Sequence, residues 1–204
     1  MVRAGFARLK KLMAQTRITA GEYRSRVLAT PSGPGTRPST SRVREALFNI
    51  IGNDIAGAVV IDLFAGAGTI GFEALSRGAA RVTFVEHERL AIEAITASAG
   101  AFGCADRCRI VRSDVGRWVA VAAAEIVAAD VCFLDAPYGE RSVDGVMAAL
   151  ATGPPRLVVC EHHRARRLEE RIGGLERIRE ARYGLAHLSF YRPSVARVDT
   201  GAAT

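Results

Sequence analysis

Apolar positions along this chain cluster into short continuous runs, separated by helix-periodic or glycine-rich stretches. Residues 59–64 form the clearest run and read as a strand buried on both faces, interrupted by one carboxylate, Asp62. The pattern recurs at 81–86, 109–112, 131–134 and 157–160, which predicts four further strands. Helix-compatible segments separate them: one ending near Gly78, then 89–99, 115–121, 143–150 and a charged stretch at 161–171. Upstream, Ser41 suits the N-cap of a helix through Ile51, with Val43, Leu47, Ile50 and Ile51 on one face. Residues 176–182 and 186–192, split by Tyr183-Gly184, predict a closing hairpin. Near the start, 17–21 and 24–28 read as two short strands joined through Gly21, Glu22 and Tyr23, too small for a core of their own. Strand alternating with helix predicts an α/β fold around a parallel sheet.

Gly66, Gly68 and Gly71 follow the first buried run and open the next helix. Glycine lets a backbone approach a ligand closely, and the amides of a helix start face it. Glu86 ends the next apolar run, eighteen positions after Gly68. By itself the pattern fits a nicotinamide dinucleotide site, an S-adenosylmethionine (SAM) site or a turn that needs small residues. Asp135-Ala136-Pro137-Tyr138 closes the fourth strand. In a doubly wound sheet the first and fourth strands can lie side by side where the winding direction switches, and their carboxyl ends open the ligand crevice. The glycine turn and Asp135 would then line one pocket.

With 204 residues, 49% apolar and 24% charged, the composition suits one globular domain with a small appendage. No apolar run reaches the ~20 residues of a membrane span, and the basic N-terminus lacks the apolar core of a secretory signal. A cytoplasmic protein is expected. Cys104, Cys108, Cys132 and Cys160 suit a reducing compartment, with Cys132 and Cys160 as buried thiols inside strands. Cys104-x3-Cys108 could bind a metal only with further ligands that the sequence does not supply, and His87, His162, His163 and His187 show no ligand spacing, so no metal site is expected. The net charge of +7 is lopsided: residues 1–44 hold ten Lys/Arg against Glu22, a net +9, which leaves −2 for the rest. A basic arm on a near-neutral body points to a polyanionic partner; the plainer alternative is a solvated leader.

Asp62-Leu63-Phe64-Ala65-Gly66-Ala67-Gly68 followed by Asp135-Ala136-Pro137-Tyr138 resembles the paired motifs of SAM-dependent amino-methyltransferases, Asp-x-Phe-x-Gly-x-Gly and (Asn/Asp)-Pro-Pro-(Tyr/Phe). The segments 37–49 and 71–80 are similar to the bacterial guanine-N2 methyltransferases of 16S ribosomal RNA, and the likeness extends from about residue 17 to 192. It implies a Rossmann-like class I methyltransferase: a seven-stranded, mostly parallel sheet flanked by helices, its last strand antiparallel, with a small N-terminal β-hairpin. SAM is the implied cofactor and S-adenosylhomocysteine the product. The implied partner is 16S rRNA or the assembling small ribosomal subunit, with no membrane contact and a monomeric state. On this basis the chain divides into a flexible basic leader (1–16), a basic hairpin and loop (17–38), a methyltransferase domain (39–193) and a flexible tail (194–204).

The resemblance assigns the cofactor cradle to Thr40, Asp62, Phe64, Ala65, Gly66, Gly68, Thr69, Glu86, His87 and Asp114, with Glu86 taking the ribose hydroxyls and Asp114 the adenine amine. Arg17, Arg24, Arg26, Arg37, Arg42 and Arg44 are the nucleic-acid candidates. An exocyclic base amine is a poor nucleophile because its lone pair is delocalised into the ring. Two acceptors aimed at its hydrogens favour the pyramidal, attacking form and stabilise its developing charge. Asp135 and the Ala136 carbonyl fill that role, Pro137 holds the turn, and Tyr138 stacks on a base that has left its helix. Alanine stands at 136 where the family has proline; the carbonyl is kept, but ~1 kcal/mol of preorganisation is given up. The acceptor pair alone would also serve adenine or cytosine, so guanine N2 rests on the resemblance. Rival readings are a DNA adenine-N6 or cytosine-N4 methyltransferase, a nicotinamide dehydrogenase, and a catalytically weak methyltransferase fold kept for RNA binding.

Overall fold

The computed structural model describes residues 13–31, 41–137 and 142–194. The chain opens with an antiparallel pair, β1 (Met13–Arg17) and β2 (Val27–Pro31), in which Arg17 faces Val27. Helix α1 (Ser41–Ile51) leads through a short 3-10 turn into β3 (Val59–Leu63). Then come α2 (Thr69–Ser76), β4 (Arg81–Glu86), α3 (Arg89–Phe102), β5 (Cys108–Arg112), α4 (Val115–Val121), α5 (Ala123–Val127) and β6 (Val131–Asp135). The chain finishes with α6 (Ser142–Thr152), β7 (Leu157–His163), β8 (Arg171–Ile172), β9 (Leu175–Tyr183) and β10 (Ala186–Pro193).

The main sheet has the order β5-β4-β3-β6-β7-β10-β9-β8. Its five predicted apolar runs are parallel neighbours, and β10 joins β7 antiparallel. In β3, β4, β6 and β7 continuous apolar runs form the strands because both faces are covered, whereas β5, at the edge, has no fully buried residue. Val60, Phe84, Phe133 and Val159 pack under α1, α2 and α3. On the opposite face Ile61, Leu63, Val85, Leu134 and Val158 meet Trp118, Ile126, Met147 and Leu150 of α4, α5 and α6. Cys132 and Cys160 are buried within this second layer, and burial pushes both thiols up. No helix among the described residues is long and apolar enough to cross a membrane.

Four local expectations change. The sheet has eight strands rather than seven, because the two-residue β8 pairs with the start of β9. Residues 161–171 form no helix: Glu161, His162 and His163 extend β7, since β10 supplies Leu188, His187 and Ala186 as their ladder partners. The N-terminal strands lie farther apart in sequence than expected, so 18–26 is the connection, and β1 begins inside the stretch read as leader. Ile18 looks like a strand residue in sequence but lies in the connection, and with Tyr23 and Leu28 it is buried against the body. Finally, Ser41 is the first residue of α1 instead of its cap. The expectations for 1–12, the loop at 32–40, and the tail from 195 lie outside the described residues.

Gly71 explains how closely α2 seats on the sheet. A Cβ built there would stand 2.2 Å from Phe84 Cε1 and 2.9 Å from Val82 Cγ1. Phe72 packs beside it, its ring centroid 5.1 Å from that of Phe84. We predict that Gly71→Ala destabilises the fold by about 1–3 kcal/mol through overpacking, read as a lower urea midpoint. Gly100→Ala, where a Cβ meets open space, should show no such loss.

Candidate active site

Parallel register brings several strand ends to one level. Leu63 pairs with Val85 on one side and Leu134 on the other, so Phe64, Glu86 and Asp135 all fall one residue beyond the same line. Side-chain alternation places Asp62, Glu86 and Asp135 on the face shared with Val60, Phe84 and Phe133. Glu86 and Asp135 are therefore two strand spacings apart, ~9–10 Å at the backbone, with the glycine turn between them.

That turn is held in left-handed conformations at Phe64 (φ 57°), Gly66 (φ 55°) and Gly68 (φ 77°). A Cβ on Gly66 would meet nothing within 4 Å, so the turn presents bare backbone to open space there. Beneath it lies Asp62, 1% exposed, whose Oδ2 accepts from the Gly71 amide at 2.9 Å. Burial pushes its carboxyl up to about 8; the Gly71 bond opposes the rise, and the charge of Glu86 adds to it. Glu86 is buried and accepts from the amides of Gly66 (2.8 Å), His87 (2.7 Å) and Glu88 (2.9 Å). It thus ties the glycine turn to the turn that starts α3. Ala65 is buried and Thr69, at the start of α2, is half-buried. His87 is exposed, its ring between Glu86 and Glu88. Asp114 caps α4 by accepting from the Arg117 amide at 2.9 Å, which engages one of its two oxygens.

Asp135 is half-buried at the end of β6, whereas Ala136 is 8% exposed and packs into the second core layer. Packing thus restrains the alanine that stands in for proline. Pro137 is exposed; Tyr138, Thr40 and Arg37 lie outside the described residues.

The arginine candidates separate. Arg44 is 1% exposed and not available to a nucleic acid: its Nε donates to Glu73 at 3.1 Å and its Nη2 to the Arg17 carbonyl at 2.7 Å. Arg26 donates to the Ala101 and Phe102 carbonyls and lies over the Phe102 ring, a cation at the C-terminus of α3. Since α2 and α3 run away from the carboxyl edge of the sheet, the 18–26 turn docks at the opposite end. There Glu22 N donates to the Ser76 carbonyl at 2.7 Å and Tyr23 N to Ser76 Oγ at 2.8 Å. Exposed Arg24 shares that end, ~12 Å down α2 from the glycine turn by helix rise alone. Arg17 is exposed and donates to the Ser25 carbonyl. Arg42 is exposed on the first turn of α1, on the site's side of the sheet.

The sequence matches the family described as conserved hypothetical protein 95 over residues 16–192. The chain belongs to this family. Its relatives include the candidate rRNA methyltransferase YlbH of Bacillus subtilis (strain 168), 32% identical over 180 residues, which cover 86% of this chain and 98% of that protein. Ribosomal RNA small subunit methyltransferase D of Escherichia coli (strain K12) is 51% identical over 75 residues, 37% of this chain and 38% of that protein. Among solved structures, a candidate methyltransferase from Escherichia coli, yhhF, superposes with a TM-score of 0.75 at 28% identity, covering 89% of this chain and 99% of that one. An RNA methyltransferase from Salinibacter ruber, solved with S-adenosyl-L-homocysteine, shares the fold with a TM-score of 0.60 at 20% identity, over 80% of this chain and 98% of that one. The family fold is that of class I methyltransferases, with the glycine turn after its first parallel strand and Asp135 after its fourth.

Sequence reasoning missed Glu73, the acid around which the N-terminal turn is fastened in this family member. Fully buried, it accepts from Thr19 N (2.9 Å), Thr19 Oγ1 (2.6 Å), Ala20 N (3.1 Å), Arg44 Nε and Arg77 Nε (2.9 Å). Burial works to raise its carboxyl, but the Thr19 bonds and the Arg77 and Arg44 cations hold it below the usual carboxylate range. The available signal was an acid inside an otherwise apolar stretch of α2.

Asp62 makes stability depend on pH. Its folded-state pKa is raised above its ordinary value, so the native state binds more protons and loses stability as pH climbs toward 8. Burial lowers the pKa of His162, so its effect runs the other way and is complete above its ordinary 6.5. We therefore predict a fall of ~1–2 kcal/mol between about pH 6.5 and 8, measured by urea unfolding, which Asp62→Asn flattens.

Proposed function

We propose that this protein transfers a methyl group from SAM to the exocyclic N2 amine of a guanine in small-subunit ribosomal RNA. The observation that carries the reading is the alignment of Asp135 and Ala136 with the glycine turn at one edge of the sheet. The names of its relatives, an rRNA methyltransferase and ribosomal RNA small subunit methyltransferase D, support the substrate class. The S-adenosyl-L-homocysteine bound in a fold neighbour supports the cofactor.

The residues present suit such a cofactor. Gly66 leaves its ligand side open, and the buried Asp62 carboxyl, kept mostly protonated near neutral pH, would be drawn into its charged form by a cationic amine. Glu86, at the end of β4, is placed for ribose hydroxyls: Oε1 already accepts from two amides, whereas Oε2 accepts only from Gly66 and keeps acceptor capacity. When bound, SAM supplies a methyl group on a sulfonium, open to in-line attack. Asp135 accepts one hydrogen of the target amine and the Ala136 carbonyl the other, so the nitrogen lone pair leaves conjugation and points at that methyl. As the N–C bond forms and the methyl–sulfur bond breaks, its electron pair leaving with a neutral thioether, the carboxylate would stabilise positive charge on nitrogen, and the departing proton would have Asp135 as its first acceptor.

Asp135→Ala should lower single-turnover methylation at least a hundredfold while changing SAM affinity less than about twofold by calorimetry. An equal loss of both would sink the role. A DNA adenine-N6 or cytosine-N4 enzyme would use the same acceptors. Competition between small-subunit rRNA and duplex DNA for labelled methyl groups, followed by nucleoside mass mapping, separates the two.

A further inference from the structure

Glu161 lies beside Asp135 in the sheet and no step above uses it. β7 runs parallel to β6 with Asp135 paired to Glu161, Leu134 to Cys160 and Phe133 to Val159. Phe133 and Val159 both pack in the core layer under α1, α2 and α3, so the next outward residues on that face are Asp135 and Glu161. The two carboxylates therefore stand on one face at one level, their strands ~5 Å apart. Leu188 of β10 pairs with Glu161 on its far side, and Glu161 is half-buried. Two neighbouring carboxylates thus stand at the site, one more than the amine chemistry uses.

We propose that Glu161 selects guanine, by accepting a hydrogen bond from the ring N1–H while Asp135 holds the adjacent N2 amine. This rests on the functional reading above and names the feature that restricts it to one base. Beside its amine, guanine carries a ring N–H, so its edge presents two donors in a row. Adenine and cytosine carry a ring nitrogen lone pair beside their amines. Ionised carboxylates only accept, so that lone pair would face Glu161 without a proton between them. Discrimination then comes from a penalty on the wrong edge as much as from a bond to the right one. No proton leaves N1 and no bond is made or broken at Glu161; its part is to orient and select.

The test uses the full-length protein and a small-subunit rRNA transcript carrying either guanine or 2,6-diaminopurine at the methylated position. Diaminopurine keeps the 2-amino group but replaces N1–H with a lone pair. Wild type should prefer guanine by about a hundredfold or more in kcat/KM. Glu161→Gln, whose amide can donate to a lone pair, should bring the two substrates within about tenfold, with SAM binding unchanged by calorimetry. Glu161→Asp should keep the direction of the preference at reduced kcat/KM. If wild type accepts diaminopurine as readily as guanine, or if Glu161→Gln keeps the full preference, Glu161 is not the selector, although guanine methylation itself stands. If wild type methylates no guanine amine, the functional reading fails, and the inference with it.

Discussion

Pairing of β3 with β4 on one side and β6 on the other is the constraint from which the site follows. Parallel strands locked in one register must end together, so whatever residue follows the last apolar position of each strand is delivered to a common rim. Phe64 with its glycine turn, Glu86, Asp135 and Glu161 reach that rim by the same geometry. Slipping one strand by a single residue would turn its carboxylate to the opposite face, against α4, α5 and α6. The heavy apolar loading of these four strands therefore does more than fill a core; it sets where the acids point.

Two buried acids in adjoining elements show opposite solutions to the cost of burying charge. Asp62 has one amide partner, and burial dominates, so it holds its proton near neutral pH. Glu73 is surrounded by two cations and by donors from Thr19 and Ala20, so it stays ionised despite equal burial. An acid left with little compensation sits under the open turn, and a fully compensated one sits where two parts of the chain are fastened. That division fits the proposed function, in which Asp62 meets a ligand and Glu73 holds the fold.

Much of the fold was legible because strands buried on both faces announce themselves as unbroken apolar runs. The winding switch between β3 and β6 followed from strand order, and the Asp62 to Gly71 and Asp135 to Tyr138 segments are local in sequence. What failed was whatever depends on distant partners. Residues 161–163 carry charges compatible with a helix, yet the ladder with β10 holds them extended. Arg44 stands among the nucleic-acid candidates because a guanidinium in sequence carries no record of its partner, here 29 residues away in Glu73. Its position was the clue: Arg44 shares a helix face with Leu47, Phe48 and Ile51, all buried. The offset of the N-terminal strands has the same origin, since Ile18 and Tyr23 serve the body rather than their own pair.

The fastening at Glu73 also bears on what the N-terminal appendage is. Stripping it away would expose more than the surface it covered: Glu73 would lose Thr19 and Ala20, Ser76 its Tyr23 partner, and the last carbonyls of α3 their guanidinium. Arg107 would lose Glu22 and the Tyr23 hydroxyl as well. The appendage is small enough to look detachable, but its polar seams are shared property with the body. A truncated chain would thus be a damaged core rather than a minimal domain, and the two parts are expected to be inherited, and to fold, as one unit.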